Sequence, residues 1–453
     1  MKGVFIMPVV SVDFSGRPIG SVRPLHGVNS GPMTKVFTYD ARPQFIEAGF
    51  PYARLHDVEY PYGSGEFVDI PCIFKNYDAD ETDPANYNFG LTDEYLKVCM
   101  EVGSEPLFRL GVSIEHAPVK RYVYPPADYE KWARICEHII RHYTEGWANG
   151  FHWQIKYWEI WNEADNCIKG STNMWLGTPE QFFELYCVAA AHLKEKFPHL
   201  KIGGCGFTRA YSPFMEDFFK YLCAKPQRIP LDFYSWHLYY SDVSELLASA
   251  VQADDLKKRY GYENAENIFD EWNYMHDWSN QPESYPKIKN HIGAAHCAAT
   301  LCAMQSKTSI ALATYFEADV VKEWCGLFEV DKMSHGKQKA TVRPLKPFYA
   351  FKAFNELYKM KHAVAARCDS ENIYACASSD GKRAGVLAAN YMNEDTVLTF
   401  DLQGIPAGEV LEVRIIDEDK TFDTLITLEG NNSVRFSLPL KSNAVVYIGS
   451  KII

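Results

Sequence analysis

Trp158-Glu159-Ile160-Trp161-Asn162-Glu163-Ala164-Asp165 is the stretch on which the reading of this 453-residue chain turns. Its first half is short, apolar and aromatic, as a buried strand is, and it runs straight into polar residues. Such a strand carries Glu163 to its C-terminal mouth. The same arrangement recurs at Phe269-Asp270-Glu271-Trp272-Asn273, where a second β run ends on Glu271.

Working outward, short β-like runs alternate with amphipathic stretches from about residue 24 to residue 358, the pattern of βα units on a parallel sheet. Eight strands are expected, at 24–29, 52–55, 105–110, 157–161, 201–204, 233–237, 267–271 and 310–316. The helix expected at 179–197 has Thr178 at its N-cap, Pro179 at its first position and Pro198 to stop it. Helices at 127–142 and 289–307 read similarly. Eight such units predict an α/β fold closed into a (β/α)₈ TIM barrel. Two long segments, 59–87 and 319–343, are expected as loops on its catalytic face.

After Lys361 the texture changes to seven β-rich runs at intervals of roughly ten residues, the signature of an antiparallel β-sandwich. The run at 4–13 has no helix partner and is expected to join it. The predicted organisation is an N-terminal strand segment at 1–22, the barrel at 23–360 and the sandwich at 361–453.

Composition narrows the partners. A formal net charge of −12 repels phosphate backbones and anionic lipids, so neither nucleic acid nor membrane is expected. No apolar run approaches the roughly 18 residues of a membrane span, and MKGVFIMPVV lacks a secretory pattern, so a cytoplasmic chain is expected. The 12 cysteines contain no C-x-x-C pair and read as reduced thiols. His138 and His142 are four apart without H-E-x-x-H or a third ligand, which favours a solvated helix face; no metal and no cofactor are predicted.

Two carboxylates on opposite sides of one barrel mouth are what glycosidic-bond hydrolysis needs. One donates a proton to the leaving oxygen, and the other attacks the anomeric carbon. Glu163 and Glu271 are the expected pair, and Glu159 and Asp270 are competitors set back along the strands. A surplus of aromatics, 14% of the chain, suits a site that grips sugar rings; Trp236, Trp272 and Trp324 are stacking candidates, with core packing the equal alternative.

At these motifs the chain resembles glycoside hydrolase family 39, a group that includes β-xylosidases. HGVNSGP is similar to the family's first strand and ARLH, with Arg54 and His56, to its second; LDFYSWHLY and FDEWN are similar to the sixth and seventh. The resemblance implies that Glu163 is the acid/base and Glu271 the nucleophile of a retaining mechanism. It implies that Asn162 binds the hydroxyl beside the anomeric carbon and that Arg54 touches the nucleophile and lowers its pKa. His237 and Tyr239 would orient the nucleophile, and His56, Trp272 and Trp324 complete the substrate-binding set. Ala164-Asp165 departs from the family's usual Pro-Asn. The expected substrate is a short oligosaccharide or small glycoside, a β-xyloside first, with an arabinoside, a glucoside or a uronic-acid-containing glycan as alternatives. The resemblance also implies that a homo-oligomer is possible. The rival readings are a non-catalytic glycan-binding barrel and a metal-dependent barrel enzyme.

Overall fold

The computed structural model describes residues 7–34, 39–58, 66–115, 119–166, 173–320, 324–330, 341–430 and 432–451. Eight parallel strands close into a barrel in chain order: Gly27–Asn29, Tyr52–Leu55, Glu105–Leu110, Tyr157–Ile160, Lys201–Phe207, Phe233–Tyr240, Glu266–Tyr274 and Ile310–Tyr315. All eight expected strands are present. Strands five, six and seven run three residues past their expected ends, because their last residues still pair across the barrel.

Pleat alternation explains what fills the barrel. Near the strand starts, Leu107, Tyr157, Phe233, Ile268 and Leu312 point inward and form a small apolar plug with Tyr52. Two residues further along each strand, that face is polar: Arg109, Glu159, Ser235, Asp270 and Thr314, all fully buried. The outward residues of the same strands, among them Trp158, Trp236 and Phe269, pack in the main core with the surrounding helices.

The helices begin as their sequences dictate. At Pro179–Lys196 the Thr178 hydroxyl accepts from the Gln181 N–H and the Gln181 side chain bonds back to the Thr178 N–H, a reciprocal cap. Tyr129–Thr144 and His291–Lys307 start two residues later than expected, capped by Asp128 and Asn290. His142 is buried rather than solvated: it stacks on Phe89 and its Nε2 lies 3.0 Å from Asp93.

The C-terminal strands form two sheets. Val9–Asp13 lies in a four-stranded sheet, between Ala366–Cys368 and Thr396–Gln403. It pairs parallel with Thr396–Gln403, so the sandwich is not wholly antiparallel. The seven-stranded sheet is buried on both faces along Ala384–Asn390. Val386 and Ala388 face the other sheet, while Leu387 and Ala389 face the barrel's core. Of the two long loops, residues 59–65, 321–323 and 331–340 lie outside the described residues, as do residues 4–6 of the N-terminal run. The rest of the first loop is pinned to strand three: the Asp69 carboxylate accepts from Arg109 and from the Ser113 N–H and hydroxyl.

Candidate active site

Strand seven departs from simple alternation at a decisive point. Its register with strand six shifts so that Trp236 pairs with Phe269 and His237 with Glu271, leaving Asp270 as the extra residue of a bulge. Asp270 and Glu271, though adjacent, therefore both turn into the barrel. Phe269 and Trp272 stack on each other on the outside, with centroids 6.1 Å apart. On strand six Ser235, His237 and Tyr239 point inward by ordinary alternation.

Glu163 reaches the same space from beyond strand four. Trp161 and Glu163 both hold left-handed backbone, at φ 72° and 45°. Side chains pay on the order of 1–3 kcal/mol for such conformations, which persist where the surroundings over-determine them. Here Trp161 N–H donates to Leu110 O, its indole donates to Met174 O, and Glu163 N–H donates to Gly206 O. The result is convergence. An oxygen of Glu163, an oxygen of Glu271 and a ring nitrogen of His237 all lie within 4.8 Å of one another.

The partners of each carboxylate differ. Glu163 Oε1 is 2.8 Å from His237 Nδ1. Burial pushes the Glu163 carboxyl up to about 7, with the more distant Arg54 charge opposing. Glu271 accepts from the Tyr239 hydroxyl and, at 3.1 Å, from Arg54 Nη1. Its carboxyl is nonetheless raised, because burial outweighs Arg54 and the Glu163 charge adds to it. Arg54 does touch Glu271 and pull its carboxyl down, as expected, but burial prevails. Burial also drops His237 to about 4, so the imidazole is neutral near pH 7.

Arg54 is the hub beneath the pair. Its Nε is 2.8 Å from Glu159 and 3.2 Å from Asp270, Nη1 donates to Asn29 and Glu271, and Nη2 is 2.6 Å from Asn162 Oδ1. Removing the guanidinium would strand buried carboxylates, a loss on the order of 3–5 kcal/mol. Gly206 closes one side at φ 53°, where a Cβ would sit 2.8 Å from Arg54 Nη2 and 3.1 Å from His237 Nε2. Only glycine fits there.

Of the residues expected from sequence, Glu163, Glu271, Asn162, Arg54, His237 and Tyr239 come together. His237 lies nearer to Glu163 than to Glu271, at 2.8 against 3.7 Å, so its main partner is not the expected one. His56 is buried beside them, its Nε2 3.4 Å from Asn162 Nδ2 and 3.2 Å from Asp57. Trp324 stacks on Phe316 and leans on the Tyr239 ring at 5.7 Å. Trp272 does not join them: it faces outward and packs against Tyr315 and Phe351 in the core, as Trp236 does against Phe269. Sequence reasoning missed Asn29, Ser235 and Trp278. Trp278 is half-exposed with its ring edge-on to Tyr239 at 5.3 Å. Asn29 stood in the HGVNSGP motif, while nothing in the sequence distinguished the other two.

The profile of glycosyl hydrolases family 39 matches residues 44–300. A beta-xylosidase of Caldicellulosiruptor saccharolyticus is 26% identical over 253 residues, 52% of this chain and 47% of that protein; the match thus spans about half of that relative's length. Among solved structures, a glucosidase from Croceicoccus marinus superposes with a TM-score of 0.79 at 24% identity, covering 99% of each chain. A monomeric beta-xylosidase from Caulobacter crescentus gives 0.71 at 15% identity, covering 98% of this chain and 99% of that one. At these identities the structural likeness speaks for the fold.

Proposed function

We propose, from the premise that this chain belongs to glycosyl hydrolases family 39, that it is a retaining glycosidase with Glu163 as acid/base and Glu271 as nucleophile. The observation that carries this reading is the approach of one oxygen of Glu163 to one oxygen of Glu271 within 4.8 Å. Retaining enzymes hold the pair at about 5–5.5 Å, and inverting ones leave about 6.5–9.5 Å for a water.

The environments divide the roles. Glu163, lifted to about 7, holds the proton that the leaving oxygen needs. Glu271, held by Arg54 and the Tyr239 hydroxyl, presents a fixed carboxylate to the anomeric carbon. Attack forms a glycosyl ester on Glu271 as Glu163 gives up its proton. The ester carries no charge, so an ionised Glu163 no longer faces a second carboxylate, and it takes a proton from the water that completes hydrolysis. Asn162, fixed by Arg54, is placed to hold the hydroxyl beside the reacting carbon.

A β-xyloside on a short oligosaccharide is the leading substrate, supported by the Caldicellulosiruptor relative; the Croceicoccus fold neighbour keeps a glucoside as the second reading. His56, Tyr239 and Trp324 line the proposed sugar site. We further propose a cytoplasmic setting, supported by free cysteines that are mostly buried among the described residues, and the division at 22 and 360 into strand, barrel and sandwich. No described helix is long and apolar enough to cross a membrane. The test is a panel of aryl glycosides on wild type, Glu163→Ala and Glu271→Ala. Azide should rescue Glu163→Ala on good leaving groups and yield a β-glycosyl azide. Full activity in Glu271→Ala would end the assignment.

A further inference from the structure

We propose that Asp270 is a positioning residue that sets the tautomer of His237, keeping its proton on Nε2 so that Nδ1 accepts the acid proton of Glu163. The proposal rests on the assignment of Glu163 as the acid/base. Asp270 does not touch the reacting atoms; it acts through the imidazole.

The geometry begins with the bulge that turns Asp270 inward. Its Oδ1 lies 3.6 Å from His237 Nε2 and its Oδ2 lies 3.2 Å from Arg54 Nε. The groups facing it are Arg54 from strand two, Glu159 from strand four, Cys205 from strand five, His237 from strand six and Glu271 on its own strand. No donor among the described residues hydrogen-bonds to an Asp270 oxygen and no partner reaches His237 Nε2, while the Asp270 side chain can hydrogen-bond Glu159 once it carries a proton.

Charge balance decides who holds the protons. One guanidinium faces three buried carboxylates, Glu159, Asp270 and Glu271, and they cannot all ionise together. Glu159 has the stronger donors, Arg54 Nε at 2.8 Å and the Ser235 hydroxyl at 2.5 Å. It keeps the charge, and Asp270 keeps a proton. Burial and the Glu159 charge both push Asp270 well above the usual carboxylate range, whereas Arg54 and the donated bonds overcome burial at Glu159.

A carboxylic acid at 270 has one O–H to give to Glu159 and one oxygen left to accept. A neutral imidazole has one N–H. With that N–H on Nε2, it points at Asp270 Oδ1, and the 3.6 Å gap needs to close by only a few tenths of an ångström to reach hydrogen-bond length. Nδ1 then offers a lone pair to Glu163 Oε1 at 2.8 Å, which only a protonated Glu163 can satisfy. The opposite tautomer sets the Nε2 lone pair against an Asp270 lone pair in a dry site, leaving both unpaired. Asp270 thus favours the acid form of Glu163 from two residues away.

Two measurements on the full-length protein test this. In ¹⁵N NMR of wild type near pH 6, His237 should carry its proton on Nε2; a proton on Nδ1 overturns the proposal, whatever the substrate proves to be. The second compares Asp270→Asn and Asp270→Ala on 2,4-dinitrophenyl and phenyl β-xylosides. Asparagine can still donate to Glu159 and accept from Nε2, so Asp270→Asn should keep the wild-type basic limb and rates within about threefold. Loss of the partner in Asp270→Ala should move the basic limb below about 7 and cost at least about tenfold more on the phenyl substrate, which depends on acid catalysis. Equal losses on both substrates with an unmoved limb, or Asn behaving like Ala, would refute it. If Asp270→Ala does not fold, the tautomer measurement decides. Absence of turnover on every glycoside would instead strike the glycosidase reading.

Discussion

One carboxylate oxygen of Glu163 and one of Glu271 stand within 4.8 Å of each other across the barrel mouth. That approach is nearer the spacing of about 5–5.5 Å in retaining pairs than the roughly 6.5–9.5 Å of inverting ones. The first sugar released from a β-xyloside should therefore be the β anomer. Proton NMR of the anomeric signal within the first minutes, before mutarotation, reads this directly. The α anomer appearing first would mean single displacement.

The pH profile follows from the same pair. In the proposed roles Glu163 must be protonated to act, so activity should fall as pH rises through about 7. As the proposed nucleophile Glu271 must be ionised, so activity should also fall on the acid side, at a pH above the ordinary glutamate value because burial raises it. The two limbs belong to the coupled pair and not to either residue alone. A bell-shaped kcat/KM curve with its basic limb near 7 is expected. Removing the Glu163 carboxyl should abolish that limb on substrates that leave without acid help.

Stability should follow the same proton. Burial lifts Glu163 from an ordinary 4.5 to about 7, so the folded chain keeps a proton that the unfolded chain releases. Below 4.5 both states are protonated and nothing is lost; stability then falls as pH rises through the folded value. Glu163→Gln carries no such penalty. Its melting temperature should match wild type at pH 4 and exceed it at pH 8, by a free energy on the order of 1–3 kcal/mol. Equal melting curves at both pH values would show that burial is not what holds the proton on Glu163.

Much of this site was legible because strands end where polar residues begin. The runs before Glu163 and Glu271 needed only period-two reading to place both at a barrel mouth, and Arg54 followed from its motif. The bulge was not legible. Strict alternation sends Asp270 and Glu271 to opposite faces, and nothing local announces that both turn inward. Trp272, read as a substrate-binding candidate with core packing as the equal alternative, takes the core, because the pleat sends it into the helical layer. The role of His237 depended on a distance between strands four and six, which no single strand encodes. In the sandwich, the parallel pairing of Val9–Asp13 depends on which neighbour an isolated N-terminal strand meets, and its residues do not say.

The most direct test of a nucleophilic Glu271 is to trap it. A 2-deoxy-2-fluoro xyloside with a good leaving group slows the second displacement and should inactivate the enzyme with a stoichiometric mass increase. Peptide mapping should put the sugar on the segment that ends strand seven, at Glu271. A label on Glu163 or Asp270, or turnover with no adduct and an inverted product, would contradict the account.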